Sequence, residues 1–233
     1  MRNPLTPPRK RGVEILDLPD VDPRVVTRSL ADVARANTLF GGKSSALEEL
    51  KGALRDLPAE ATLLDVGTGL GDIPCGARQL ARDRGVRMTT IGLDLALELA
   101  RASRDSIDLS VCGDAMQLPF EDNSVDVVMC SQVLHHFTTS DAAVVLREMN
   151  RVARVRVIVS DIRRSWLAAA GLWLASFPLR FHAVSRHDGV VSVMRGFTPK
   201  ELSDTVHQAI AWRPLAHRRR GFRVTTSWVP IHR

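Results

Sequence analysis

Leu63-Leu64-Asp65-Val66-Gly67-Thr68-Gly69-Leu70-Gly71-Asp72 is an apolar strand that ends in three glycines at alternate positions and then enters a helix. Glycines 67, 69 and 71 lack a Cβ, so the turn can take positive φ and let a ligand approach the backbone closely. The free N–H groups of the helix that starts near Asp72 face the same space. In an open α/β sheet, ligands bind outside the carboxyl ends of the strands, so this turn reads as a nucleotide-cofactor site.

Working outward, strand and helix alternate. Residues 62–66 form the first strand, 72–84 a helix closed by Gly85, and 87–93 a second strand with Asp94 at its end. Residues 96–103 read as a short helix, 109–112 as a third strand ending at Gly113-Asp114, and 125–130 as a fourth. Residues 141–153 form the next helix and 155–160 a fifth strand ending at Asp161. Five alternations with short links predict a doubly wound parallel sheet of the α/β class. Two amphipathic helices precede it, one opening at Asp22-Pro23 and running to Leu39, the other over residues 44–57. Beyond Asp161 the rhythm changes to an apolar helix over 165–181, a helix over 199–210, and a hairpin of 212–218 with 222–229 turning near Arg220-Gly221.

The chain has 233 residues, 45% of them apolar, which suits one large domain with a full core. Its net charge is +6, but the basic residues are dispersed, with short clusters only at Arg9-Lys10-Arg11, Arg163-Arg164 and Arg218-Arg219-Arg220. No run reads as a nucleic-acid tail. Cys75, Cys112 and Cys130 form no CxxC pair, and His207, His217 and His232 have no ligand spacing, so no disulfide framework or metal site is expected. A reducing cytoplasm is the compartment these cysteines suggest. Residues 1–12 carry prolines and basic residues without an apolar core, so they read as a disordered arm rather than a signal peptide, and the flexible arm is expected to extend to residue 22.

The glycines do not fit GxGxxG, because Asp72 stands where the last glycine belongs. With Asp65 the pattern is DxGxGxG. Further along, Gly113-Asp114-Ala115-Met116-Gln117-Leu118-Pro119-Phe120-Glu121-Asp122-Asn123-Ser124-Val125-Asp126-Val127-Val128 closely matches GDAxxLPFxDxSFDxV, with Val125 where phenylalanine is usual. On these motifs the chain resembles class I S-adenosylmethionine-dependent methyltransferases, in the small-molecule group related to the ubiquinone and menaquinone biosynthesis enzymes. The resemblance spans residues 63–160.

The resemblance implies a Rossmann-like seven-stranded sheet of order 3-2-1-4-5-7-6 whose last strand is antiparallel. It implies one domain over residues 23–233: N-terminal helices at 23–58, a cofactor-binding core at 62–161, and acceptor-side helices and a hairpin at 162–233. The implied cofactor is S-adenosyl-L-methionine, leaving as S-adenosyl-L-homocysteine. Asp65, Gly67, Thr68, Gly69 and Gly71 would hold its methionine tail, Asp94 with Leu95 the ribose, and Asp114 with Ala115 the adenine, while Ser131 and Gln132 line the site.

Of the polar residues after the fourth strand, His135 and His136 are candidate general bases, His135 the first choice, although packing or helix capping explains the pair equally well. His182 and His187 are second choices. The apolar helix Trp166 onward is too short for a bilayer, which needs about 20 residues, so it is a core helix, a lid, or an interfacial helix with arginines at the headgroups. Its tryptophans suit a small hydrophobic or aromatic acceptor. The chain looks like methyltransferases of secondary metabolism that O-methylate phenolic or polyketide-derived hydroxyls. C-methylation of a quinone precursor is the rival, and an RNA methyltransferase or a silent S-adenosylmethionine-binding subunit is a further alternative. The sequence gives no oligomeric state.

Overall fold

The computed structural model describes residues 4–232 apart from Arg11 and Pro19, together with the backbone alone of Pro23. Seven strands, β1 (Glu60–Val66), β2 (Arg87–Asp94), β3 (Leu109–Cys112), β4 (Val125–Ser131), β5 (Ala153–Ile162), β6 (Ala216–Arg219) and β7 (Arg223–Trp228), form one sheet in the order β3-β2-β1-β4-β5-β7-β6. β7 runs antiparallel to both neighbours, and the pairs among β1 to β5 are parallel. This is the architecture the motifs imply. Leu63, Leu64 and Val66 of β1 are fully buried, as a central parallel strand requires.

Among the described residues, eight helices accompany the sheet: α1 (Pro23–Leu39), α2 (Gly42–Ala53), α3 (Asp72–Arg82), α4 (Leu97–Ala102), α5 (Thr139–Val152), α6 (Trp166–Ser176), α7 (Ala183–Arg195) and α8 (Pro199–Ile210). Their ends follow local chemistry. Asp22 accepts from the Arg24 N–H ahead of α1, Ser165 accepts from Leu167 ahead of α6, and Thr198 with Glu201 forms a capping box at α8. Two apolar layers sandwich the sheet. Leu50, Ala77 and Ile158 belong to the layer under α2 and α3, while Leu146, Met149 and Leu202 belong to the layer under α5 and α8.

The structure departs from the expected elements in four places. The apolar helix ends at Ser176 instead of residue 181, because Phe177-Pro178 breaks it. A further helix, α7, follows where none was expected. β5 continues two residues further, so Asp161 lies inside the strand and pairs with Val224. The first strand of the hairpin begins at Ala216, leaving Trp212 in the preceding loop.

The N-terminal arm also differs from the expected flexible tail; residues 1–3 lie outside the described residues. The Trp166 N–H donates to the Leu5 carbonyl at 3.0 Å, Arg164 Nε to Pro7 at 2.7 Å, and the Lys10 N–H to Met194 at 3.2 Å. A 3-10 turn at Ile15–Asp17 follows, and the Ile15 and Leu16 N–H groups donate to the buried Asp188 carboxylate at 2.8 and 2.9 Å. The arm is polar and proline-rich, so its composition resembles disorder, but several of its backbone groups pair with α7 and with the segment that opens α6.

Candidate active site

β1 delivers the chain to the carboxyl edge of the sheet, and there Gly67, Gly69 and Gly71 all adopt positive φ, at 74°, 56° and 76°. The Gly67 and Thr68 N–H groups donate to Leu93 of β2, at 2.8 and 3.0 Å, which pins the turn to the neighbouring strand end. The Gly69 N–H donates to Asp94 Oδ2 at 3.0 Å, and the Ala96 N–H to Asp94 Oδ1 at 3.1 Å. Each Asp94 oxygen therefore retains acceptor capacity. Asp114 accepts from the Met116 N–H at 2.8 Å through Oδ1.

A cavity of about 1640 Å³ opens along this edge. Single-ligand sites usually occupy about 300–1,000 Å³, so there is room for two ligands. Gly67, Gly69, Asp94, Leu95, Asp114, Ala115 and Gln132 line one end. α1, α6 and α7 wall the other with apolar side chains such as Leu30, Leu167, Leu172 and Val193.

Asp65, Thr68, Gly71 and Ser131 are set behind that wall and do not line the cavity. Gly71 caps α3, with Ile107 and Ser106 packed where a side chain would go. Gln132 reaches across to Asn37, Nε2 to Oδ1 at 2.6 Å. His182 caps α7 and His187 bonds Asp188, and neither ring lines the cavity.

His135 and His136 do line it, and their surroundings differ sharply. His135 is buried; its Nδ1 lies 2.7 Å from Asp161 Oδ1, and its backbone N–H donates to Asp161 Oδ2 at 3.1 Å. Burial pushes the Asp161 carboxyl up, but the His135 ring and the donated N–H groups outweigh it and hold the group below the usual carboxylate range. An ionised Asp161 favours the proton on Nδ1, so Nε2 carries the lone pair; it makes no hydrogen bond to a described residue and lies 4.0 Å from Glu14 Oε1. His136 instead belongs to an ionic cluster with Glu14, Asp17 and Arg195. Burial draws its pKa down, but Asp17 and Glu14 more than reverse this, so the net shift is upward.

Glu14, His135 and His136 bring ligand-type atoms within 4.8 Å of one another, a grouping that sequence spacing does not suggest. A cation already serves it: Arg195 Nη1 lies 3.0 Å from Glu14 Oε1, 3.1 Å from Asp17 Oδ2 and 3.4 Å from His136 Nδ1. Glu14, Asp17, Arg195 and Arg223 also join the cavity wall or the cluster without any local signal in the sequence. Only Asp161, an acid near a strand end, carried a visible signal.

Residues 64–159 match the family described as a methyltransferase domain. A demethylmenaquinone methyltransferase of Roseiflexus sp. (strain RS-1) is 30% identical over 181 residues, which cover 71% of this chain and 74% of that protein. The chain belongs to the class I S-adenosylmethionine-dependent methyltransferases. A malonyl-acyl-carrier-protein O-methyltransferase of Laribacter hongkongensis (strain HLHK9) is 38% identical over 110 residues, 42% of this chain and 35% of that longer protein. Magnesium protoporphyrin IX methyltransferase of Synechocystis PCC 6803, solved with bound S-adenosylhomocysteine, shares the fold at a TM-score of 0.56 and 15% identity, over 85% of this chain and 87% of that one. This methyltransferase is of the small-molecule type, and S-adenosylmethionine is its methyl donor.

The residues present fit that donor. A Cβ on Gly69 would meet nothing within 4 Å and would occupy the cavity, so the glycine keeps a cradle open. Asp65 Oδ1, Thr68 Oγ1 and Asp72 Oδ2 are buried around the turn without hydrogen-bond partners. Burial pushes the Asp65 carboxyl up to about 7 against the pull of the nearby Thr68 hydroxyl, and Asp72 and Asp94 add repulsion. Asp65, Asp72 and Asp94 surround the turn with acidic groups, Asp72 also within the field of Lys43, a setting that disfavours a phosphate and suits the ammonium of a methionine tail.

A cation bound there favours ionised Asp65, so binding expels the proton that Asp65 holds below pH 7. S-adenosylhomocysteine affinity is therefore expected to rise about five- to tenfold from one pH unit below 7 to one above. Asp65→Asn flattens that dependence, and calorimetry across the range checks it. The same shift means that Asp65 stabilises the free protein at acid pH and that this contribution is lost as pH rises through about 7.

Proposed function

We propose that this methyltransferase O-methylates a phenolic or polyketide-derived hydroxyl on a flat, hydrophobic acceptor. The observation that carries the reading is that His135 lines the cavity with Nδ1 held by buried Asp161 at 2.7 Å, while Nε2 makes no hydrogen bond to a described residue and has Glu14 Oε1 4.0 Å away. S-adenosylmethionine, when bound, supplies an electrophilic methyl on sulfonium. His135 Nε2 accepts the hydroxyl proton as the oxygen becomes the nucleophile. The oxygen would then take the methyl carbon, with the electron pair of the C–S bond left on sulfur. Asp161 stabilises the imidazolium that results. The apolar walls contributed by α1, α6 and α7 exclude water and hold the ring for in-line attack at about 3–3.5 Å.

The Laribacter relative's name supports oxygen as the acceptor atom. The Roseiflexus relative's name favours a second reading, methylation of a quinol ring, in which the same base generates the phenolate. Incubating the protein with S-adenosylmethionine and naphthols, then locating the new methyl by NMR, separates the two. An aryl methyl ether is expected, and a ring methyl supports the second reading.

No helix among the described residues is long and apolar enough to cross a membrane. The outward face of α6, however, is apolar: Trp166, Leu167, Trp173, Leu174 and neighbouring Phe177 are all about half exposed. Arg180 and Arg186 flank its end, Arg186 stacking 3.9 Å over the Phe177 ring. Leu167 and Gly171 belong to this face and to the cavity wall. The combination supports contact with an anionic bilayer surface that delivers a lipophilic acceptor. Co-sedimentation with vesicles containing phosphatidylglycerol is expected for the wild type and lost in Trp173→Glu; equal recovery of both argues against it.

A further inference from the structure

The cavity wall is rich in carboxylates and, among the described residues, carries a single arginine or lysine, Arg223 at the start of β7. Most of the wall's acids have partners. Glu14 and Asp17 are bound to Arg195, Asp188 accepts from the Ile15 and Leu16 N–H groups, and Asp32 accepts from the His182 N–H and the Ser185 hydroxyl. Asp94 and Asp114 belong to the donor end.

Arg223 differs from all of these. It is only 6% exposed, its Nε is buried with no partner, and no side-chain hydrogen bond or ion pair joins it to another described residue. Asp161 is the charge that acts on it electrostatically, and that carboxylate is already engaged by His135 and by the Ile162 N–H. The neighbouring arginine across the hairpin, Arg219, is committed to Glu49 and Thr225. Burial pulls the Arg223 guanidinium down to about 10, so its surroundings disfavour the bare charge. A buried, unpaired guanidinium is expensive to keep unless a ligand supplies the anion.

We propose that Arg223 determines acceptor specificity: its guanidinium pairs with the ionised oxygen of the acceptor and selects flat acidic enols and phenols over neutral molecules of the same shape. The inference rests on this cavity being the acceptor site. Asp161 then stands between the base and the anion holder, touching His135 directly and Arg223 through its field. A planar guanidinium offers charge-assisted hydrogen bonds to such an oxygen, and losing them exceeds tenfold in affinity, roughly.

The test is calorimetry on the full chain saturated with S-adenosylhomocysteine. The probes are 2-hydroxy-1,4-naphthoquinone, an enolate at neutral pH, and its methyl ether, which has nearly the same shape and no charge. The wild type is expected to prefer the enolate by more than about tenfold. Arg223→Gln should equalise the two probes, and Arg223→Lys should retain part of the preference. Arg223→Gln should also melt no lower than the wild type, whereas an arginine kept for structure loses stability when truncated. Equal affinities in the wild type, no binding of either probe, or an unchanged preference in Arg223→Gln overturns the proposal. If Arg223→Gln does not fold, the wild-type comparison decides alone. Loss of S-adenosylhomocysteine binding counts against the donor-site reading instead, and the wild-type preference is then measured without it.

Discussion

Replacing His135 by alanine is expected to lower kcat by about 10²–10⁴, the usual contribution of a positioned general base, while S-adenosylhomocysteine binds as before. The reason is geometric. Asp161 Oδ1 holds Nδ1 at 2.7 Å, so the ring presents one defined nitrogen to the cavity. Asp161→Asn should depress kcat too, because an amide can offer its N–H to Nδ1 and turn the ring to the wrong tautomer. His136→Ala should cost far less in turnover. Its ring is held by Asp17 and Glu14 in an ionic cluster with Arg195, which raises its pKa and suits it to anchoring the N-terminal arm. Steady-state kinetics at saturating donor checks all three variants, and equal turnover of wild type and His135→Ala across neutral pH removes His135 as the base.

Gly69→Leu should abolish S-adenosylhomocysteine binding and leave a folded protein. The added side chain enters open cavity, so it fills the donor cradle without displacing the core. Its positive φ of 56° adds strain of about 1–2 kcal/mol, which lowers the melting temperature modestly. Gly67→Leu should fail in the opposite way. A Cβ there collides with the Val133 side chain, so the core must shift and stability falls before binding can be measured. Thermal unfolding and calorimetry on the two variants separate a binding glycine from a packing glycine. Retained binding in Gly69→Leu would contradict the placement of the donor.

Local signals carry the proposed donor half of the site. The alternation of strands, the DxGxGxG turn, Asp94 and Asp114 all lie within one continuous stretch, where each strand end announces itself by a glycine or an acid. Even there, the motif does not separate residues that line the cavity from those behind it: Gly69 faces the space, while Gly71 packs on Ile107.

The acceptor half was not legible in the same way, because it is made by contacts between distant segments. Arg195 reaches Gly12 across 183 residues, and Ile15 reaches Asp188 across 173. No spacing rule reports such pairs. α7 gave no helical signal because Gly189 and the Val190-Val191 pair weaken local helix propensity; packing against α6 and the arm holds it. Arg223 lies within the hairpin that the sequence predicts, with no local signal of its own, and only the sheet edge places it at the cavity.

A donor seated at the glycine turn with its reactive centre facing His135 is tested most directly by a crystal structure of the S-adenosylhomocysteine complex. The predicted complex has the methionine tail at Gly67 and Gly69, the ribose hydroxyls on Asp94, the adenine beside Asp114 and Ala115, and the sulfur directed toward the space shared by His135 and Arg223. A ligand seated between α1 and α6, or a sulfur turned away from His135, would contradict it.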